Sequence, residues 1–428
     1  MSWAAVDTEQ VEGVQGRRLE ARRILYLLGL VILMLSAVRS ITGASDLTSS
    51  GTYSAALRLA VPILLAGLGG LYAERTGVVN IGLEGMMILG TWFGAWGGVE
   101  FGAWWGVVLG ILGGAMGGLV HAVATVSFGV NQIVSGVAVN ILAAGVTRFL
   151  SVIAFTGHGG GATQSPQVTS NLPNLTVPVL AGGEPFGWQS PDLLGWFERQ
   201  HWFLVSDVAA LFRGFMAELS ILTVITLLLV PATYFFLWRT RLGLRMRSAG
   251  ENPVAAESLG VPVYTMKYVG VLISGALAGL AGAFLVLEAA GIYREGQTGG
   301  RGFIGLAAMI FGNWRPTGVA AAAGLFGYAE SLNLRSAQAV HALLLFVAIA
   351  LLGLAIWYLI RGRISAGVLA GAIGVLVFMW YTVTEDVPRQ FIFITPYVAT
   401  LLVLAVASQR LRPPAADGLP YRRGQQTS

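Results

Sequence analysis

Ala103-Trp-Trp-Gly-Val-Val-Leu-Gly-Ile-Leu-Gly-Gly-Ala-Met-Gly-Gly-Leu-Val-His-Ala-Val-Ala-Thr-Val-Ser-Phe128 contains no Asp, Glu, Lys or Arg. About 20 mostly apolar residues in a helix cross the hydrocarbon core of a bilayer. This run therefore reads as a membrane-spanning helix. Gly106, Gly110, Gly114 and Gly118 recur within it every four residues and form one smooth stripe. Lipid gives helices little hydrophobic reason to associate, so small residues that admit close van der Waals contact hold them together. Gly275, Gly279 and Ala283 repeat the device farther along the chain.

The rest of the sequence follows the same pattern. Of 428 residues, 55% are hydrophobic and 11% charged, against about 25% charged in a soluble domain. Too few polar groups remain to cover a soluble fold of this length, and the apolar content excludes a disordered chain. The spacing predicts an all-α, polytopic membrane bundle with twelve candidate spans: 24–41, 55–73, 78–99, 103–128, 131–155, 217–238, 268–290, 303–313, 316–334, 341–360, 366–384 and 391–408. The eighth is too short to cross alone and is either a half-helix or joined to the ninth. The first follows Arg22-Arg23 as a signal peptide would, but Arg39 interrupts the cleavage region, which favours a retained helix.

Basic residues favour the cytoplasmic side of a membrane. With Arg17, Arg18, Arg22 and Arg23 inside, twelve crossings also place Arg239, Arg241, Arg245, Arg247, Arg361, Arg363, Arg410, Arg412, Arg422 and Arg423 inside. The predicted layout is a cytoplasmic N-terminal tail (1–23), a transmembrane domain (24–408) and a cytoplasmic C-terminal tail (409–428). Within the domain, 156–216 becomes an extracytoplasmic loop, with a stretch near Trp196, Trp202 and Phe203 suited to the interface. Trp92, Trp96, Trp104 and Trp105 read as an aromatic belt or as core aromatics. Thr76-Gly77 and Thr298-Gly299 align at an offset of 222, with Met87 on Met309, Gly90 on Gly312 and Trp92 on Trp314. They fall at opposite membrane faces, as an inverted repeat requires.

Several chemistries are excluded. The net charge of +5 is thinly spread, Lys267 is the only lysine and no basic stripe exists, so nucleic acid is not an expected partner. Cysteine is absent, and His121, His158, His201 and His341 lack metal-ligand spacing. No P-loop surrounds Lys267, and HExxH and GxSxG are missing, so ATP hydrolysis by a P-loop, zincin and hydrolase activities are not expected.

The longest connection on the cytoplasmic side, 239–267, is distinctive. Asn252 is suited to cap a helix, Pro253 to its first turn, Ala255 and Ala256 keep it slim, and Gly260 ends it. This segment resembles the coupling loop of ABC-transporter permeases, in which an Ala-Ala-containing helix fits a cleft on the ATPase subunit. More narrowly, the chain resembles the branch importing nucleosides and simple sugars, related to the ribose permease family. The matching pieces are Glu74-Arg-Thr-Gly-Val-Val-Asn-Ile-Gly-Leu-Glu-Gly-Met-Met87, Val130-Asn-Gln-Ile-Val-Ser-Gly-Val-Ala-Val-Asn140, the run Gly250-Glu-Asn-Pro-Val-Ala-Ala256, and Thr395–Leu404 with Gly418–Gly424. The likeness covers about 55–335 and 388–424. It departs over 339–386, where two extra apolar runs flank Arg361-Gly-Arg363 and would add a helix pair to a core of about ten spans.

The resemblance implies the membrane subunit of an ATP-driven importer for nucleosides or simple sugars, resident in the plasma membrane. Its partners would be a cytoplasmic ABC ATPase, a second permease of like or unlike sequence, and an extracytoplasmic substrate-binding protein. The chain would carry no cofactor and would not itself be an enzyme, since ATP is hydrolysed by the partner subunit. Gly250, Asn252, Pro253, Ala255, Ala256 and Gly260 would carry coupling. Polar groups at membrane depth are costly and mark candidate sites. Asn80, Glu84, Asn131 and Asn140 are the pathway candidates, with Glu288, Glu330 and Asn333 as further polar groups. The competing role for each is a hydrogen bond between helices. The alternative function is an ion-coupled secondary transporter using Glu84, Glu288 or Glu330.

Overall fold

The computed structural model describes residues 26, 28–169, 172–184, 188–335, 337–385 and 411–424. Fifteen helices occur among them: α1 (Leu28–Thr42), α2 (Ser50–Glu74), α3 (Leu83–Phe101), α4 (Ala103–Ala122), α5 (Gln132–Ala154), α6 (Leu193–Arg199), α7 (Val205–Gly214), α8 (Ile221–Arg239), α9 (Arg241–Glu251), α10 (Pro253–Ser258), α11 (Val263–Phe284), α12 (Arg301–Phe311), α13 (Pro316–Arg335), α14 (Ala337–Ile360) and α15 (Ile364–Val383). The only sheet among these residues is a two-residue antiparallel ladder, β1 (Asn174–Leu175) with β2 (Leu219–Ser220). Seven helices meet both the length and the apolar character needed to cross a bilayer. The protein is an all-α, polytopic membrane bundle. The N-terminal tail 1–23 and the twelfth candidate span, 391–408, lie outside the described residues.

The chain divides into two units. One contains Ala55–Leu175, Glu218–Ser331 and the tail 411–424. At its centre α3, α4 and α11 pack with their backbones nearly touching, as the glycine stripes predict. A methyl group on Gly118 would lie 2.8 Å from the Val271 carbonyl oxygen, and one on Gly110 would lie 3.0 Å from that of Gly90. Gly114 faces the carbonyl of Gly275 and the backbone of Gly279 even more closely. Dispersion energy falls steeply with separation, so this approach supplies attraction that lipid cannot replace. The aromatic cluster sorts by position. Trp92 is buried, stacks on Trp96 at 6.1 Å between ring centres and donates its indole N–H to Ser151 Oγ at 3.0 Å, whereas Trp104 and Trp105 are exposed.

Two departures from regular spans occur in this unit. Helix α3 begins at Leu83 rather than near 78, because residues 75–82 run as an irregular segment through Gly77 at φ +78°. Helix α12 is a separate short helix, divided from α13 by Gly312–Arg315, where Asn313 and Trp314 both adopt φ +52°. The eighth candidate span is therefore a half-helix. The Thr-Gly pairs keep parallel roles: Thr76 and Thr298 are buried, and Gly77 and Gly299 turn left-handed before α3 and α12. Beyond them α3 runs on past Gly90, while the chain turns at Gly312. Helices α4 and α11 each end in a π-helical turn, Val123–Ser127 and Leu285–Ala290.

The other unit takes the chain up to Ser54, Thr176–Ala217 and the helices after Leu332. Its core of polar contacts joins Asp207 to Arg39 at 3.2 Å and to the hydroxyl of Thr48, and joins Arg213 to Asp192 at 2.8 Å. The interfacial stretch forms α6 and α7, with Trp196, Trp202 and Phe203 exposed. The two extra runs form α14 and α15, an antiparallel pair turning at Gly362 (φ +73°), with Gly374 seated against Leu352 and most of their apolar surface uncovered within the chain.

Candidate functional site

The irregular segment 75–82 is the point on which the motifs converge. Backbone groups without a helical partner are very costly away from water, and other parts of the chain must satisfy them. Lys267 Nζ, buried on α11, donates to the carbonyls of Thr76 at 2.9 Å and Gly77 at 3.0 Å. Gln132, at the start of α5, accepts from the Val79 N–H at 2.6 Å, and His121 on α4 lies 3.1 Å from the Val79 carbonyl. Asn80 accepts from the Gly82 N–H at 3.0 Å and donates to Ser274 Oγ at 2.8 Å. Asn140 accepts from the Gly85 N–H at 2.7 Å and donates to the Ile81 carbonyl at 3.1 Å. Side chains from three helices, α4, α5 and α11, together with Asn80 of the segment itself, thus hold one break in place.

Glu84 extends this frame to the second break. Its carboxylate accepts from the N–H groups of Gly300 at 2.9 Å and Gly302 at 2.7 Å, at the entry to α12. A helix N-terminus carries unsatisfied donors and partial positive charge, so a carboxylate there is favourable on both counts. Gly302 has no room for a side chain, since a Cβ would lie 2.6 Å from Glu84 Cα. The structure brings Asn80, Glu84 and Asn140 together. Asn131 lies apart, exposed, as the N-cap of α5, accepting from Ile133 N–H at 2.9 Å and Val134 N–H at 3.2 Å.

Helix α10 follows its sequence signals. Asn252 caps it by accepting from the Ala255 N–H at 3.0 Å, Pro253 occupies the first turn, and Gly260 closes it at φ +80°. Ala256 faces inward among Met246, Ala249, Val263 and Met266, while Ala255 is exposed and Leu259 is 84% exposed. Gly250 is compressed against the Arg75 carbonyl and the Gly77 backbone, which seats α9 directly on the irregular segment.

The tail 411–424 packs on the same end of this unit. The Ala416 N–H donates to the Gly250 carbonyl at 2.9 Å and the Arg412 N–H to Asn313 Oδ1 at 2.8 Å. Tyr421 donates its hydroxyl to Glu257, and Arg423 pairs with the same carboxylate at 2.8 Å. Trp314 in its left-handed turn is fixed twice, by its indole N–H to Glu74 at 2.6 Å and by Arg75 Nη2 to its carbonyl at 2.7 Å. Burial pushes the Asp417 carboxyl up to about 6, partly offset by its hydrogen bond to Glu74 and by the charges of Lys267 and Arg75. Burial likewise lowers the Arg75 guanidinium from its usual value.

Sequence reasoning missed Gln132, Lys267, Trp314 and the docking of the tail. Gln132 adjoins a chosen residue and Lys267 stands out as the only lysine. A lone amine in an apolar run signals a buried partner, although its partners here are backbone carbonyls that no motif records. Among the described residues no group of His, Asp or Glu is arranged to hold a metal ion.

Comparison with known proteins agrees with this architecture. Residues 52–356 match the family described as the permease component of the branched-chain amino acid transport system. The guanosine ABC transporter permease protein NupQ of Bacillus subtilis is 31% identical over 86% of this chain and 96% of its own length. The nucleoside ABC transporter permease protein NupC of Lactococcus lactis subsp. cremoris is 30% identical over 84% of this chain and 93% of its own. The glucose ABC transporter permease protein TsgB13 of Haloferax volcanii is 28% identical over 62% of this chain and 65% of its own. No solved structure matches the chain. Matched over most of its bundle and along nearly the whole length of two such relatives, the chain belongs to this permease family and is an ABC-transporter permease.

Proposed function

We propose that the chain is the membrane subunit of an importer for nucleosides or simple sugars, powered by ATP that a separate ATPase hydrolyses. The observation that carries this reading is the exposed edge of α10. Ala255 and Leu259 point away from the chain while Asn252, Ala256, Gly250 and the tail hold the helix from behind. Leu259, 84% exposed, stands beside the Ala-Ala pair of a helix which the likeness to ABC-permease coupling loops would seat in a cleft on the ATPase. The substrate class follows the guanosine, nucleoside and glucose permeases to which the chain is similar.

In this reading α10 faces the cytoplasm, both termini lie there, and the protein resides in the plasma membrane. A second permease chain completes the route, and an extracytoplasmic binding protein delivers the solute. Force from the ATPase passes through Gly250 to the irregular segment, and Asn80, Glu84 and Asn140 transmit it to the entries of α3 and α12. Asn131 sets the start of α5. The chain itself catalyses no reaction.

Copurification with the ATPase tests the reading. Leu259→Asp and Ala255→Arg should each lower recovery of the ATPase and its permease-dependent stimulation at least tenfold, while the conservative Leu259→Met retains both. Undiminished recruitment by both disruptive variants would remove α10 as the docking element.

A further inference from the structure

A cavity of about 290 Å³ opens between α2, the π-helical turn after α11 and the entry to α12; Arg58, Pro62, Leu285, Ala289, Gln297 and Arg301 are among its lining residues. That volume lies at the lower end of small-molecule sites, about 300–1,000 Å³. Its polar inventory is incomplete. Gln297 Nε2 and Arg301 Nε are buried and lack a hydrogen-bond partner among the described residues, as does Glu288 Oε1 on the adjoining π-helical turn. Arg301 is otherwise fixed, by Glu330 at 2.5 Å and by the Thr298 carbonyl at 3.2 Å, so its free Nε is presented rather than mobile. Arg58 is exposed near the middle of a membrane-length helix and close enough to Glu288 for their charges to interact. A charge at that depth belongs to a water-filled route.

We propose that this cavity is the station where a neutral, hydroxyl-bearing solute rests during passage, held by Gln297, Arg301 and Arg58 of its lining, with Glu288 reaching toward it from the adjoining π-helical turn. The proposal rests on the importer reading above. Two free donors and one free acceptor match a vicinal diol, in which each hydroxyl both donates and accepts. Pro62, Leu285 and Ala289 supply an apolar wall for a base or a sugar face. Arg58 and Arg301 are balanced by Glu288 and Glu330, so the site has no net charge with which to favour a phosphorylated solute. The π-helical turn agrees with this role, because such turns recur at functional sites. Glu84 is a positioning residue for it, since it anchors Gly300 and Gly302 on either side of Arg301.

The absence of native cysteine permits a direct test. Gln297→Cys, in the permease–ATPase complex reconstituted in liposomes together with its substrate-binding protein, should react with a water-soluble methanethiosulfonate reagent. Millimolar guanosine should slow that reaction at least threefold and guanosine 5′-monophosphate should not. Glu288→Gln should lower ATP-dependent guanosine uptake at least tenfold, with copurification of the ATPase as the check on folding. Equal protection by the monophosphate would overturn the neutral-solute claim. No protection, or unchanged uptake by Glu288→Gln, would overturn the cavity assignment. If the unaltered complex takes up neither guanosine nor glucose, the importer reading fails and this inference with it.

Discussion

Single residues in this protein do their work by satisfying backbone that helices leave open. Glu84 is the clearest instance, accepting two N–H groups at the entry to α12. Each buried donor left unpaired costs about 1–3 kcal/mol. Glu84→Ala should therefore lower the thermal midpoint in detergent sharply, and Glu84→Gln, which keeps one acceptor oxygen, should recover part of the loss. Equal midpoints for Ala and wild type would refute the capping role. Asp417 gives a pH prediction. Its carboxyl holds its proton up to about 6 in the docked tail, above the ordinary value of about 3.9. Between those values the docked state keeps a proton that the released state loses, so docking weakens as pH rises from about 4 to 6 and levels off above. Protease protection of 411–424 should fall over that window, and Asp417→Asn should flatten the profile. The local signals were readable in the sequence: Asn252, Pro253 and Gly260 act on neighbours a few residues away. Lys267 and Trp314 bond to groups far along the chain, so their partners appear only once the helices are assembled.

At the scale of helices, the glycine stripes carry the packing and were legible because their period matches the helix repeat. Gly114 meets the backbone of α11, whereas a side chain at Gly145 on α5 would meet nothing within 4 Å. Gly114→Val should abolish recovery of a monodisperse protein and Gly145→Val should leave it unchanged, as gel filtration in detergent will show. Equal behaviour of the two would mean that close approach of α4 and α11 is dispensable. A helix lies at each of the eleven candidate spans within the described residues, but only seven of those helices are long and apolar enough to cross a bilayer, and helix edges were less legible. Hydropathy sees composition, so it ran α3 back into the irregular segment. Polar partners from α4, α5 and α11 permit that break, and the local apolar pattern contains no trace of them.

For the whole molecule, the family relationship sets the energetics of transport. Uptake should require ATP and the partner ATPase, and a proton or sodium gradient alone should drive none; gradient-driven uptake by the isolated permease in vesicles would favour a secondary transporter. Relatives divide between nucleosides and glucose, so competition by unlabelled glucose against labelled guanosine distinguishes the two substrate classes.

The docking of 411–424 also bears on biogenesis. These residues leave the ribosome after every helix described here, yet Ala416, Tyr421 and Arg423 supply the backing of α9 and α10. In the importer reading, the surface proposed for the ATPase is thus finished only once these residues have left the ribosome. A chain stopped before residue 411 would lack these contacts and leave α9 and α10 without their backing.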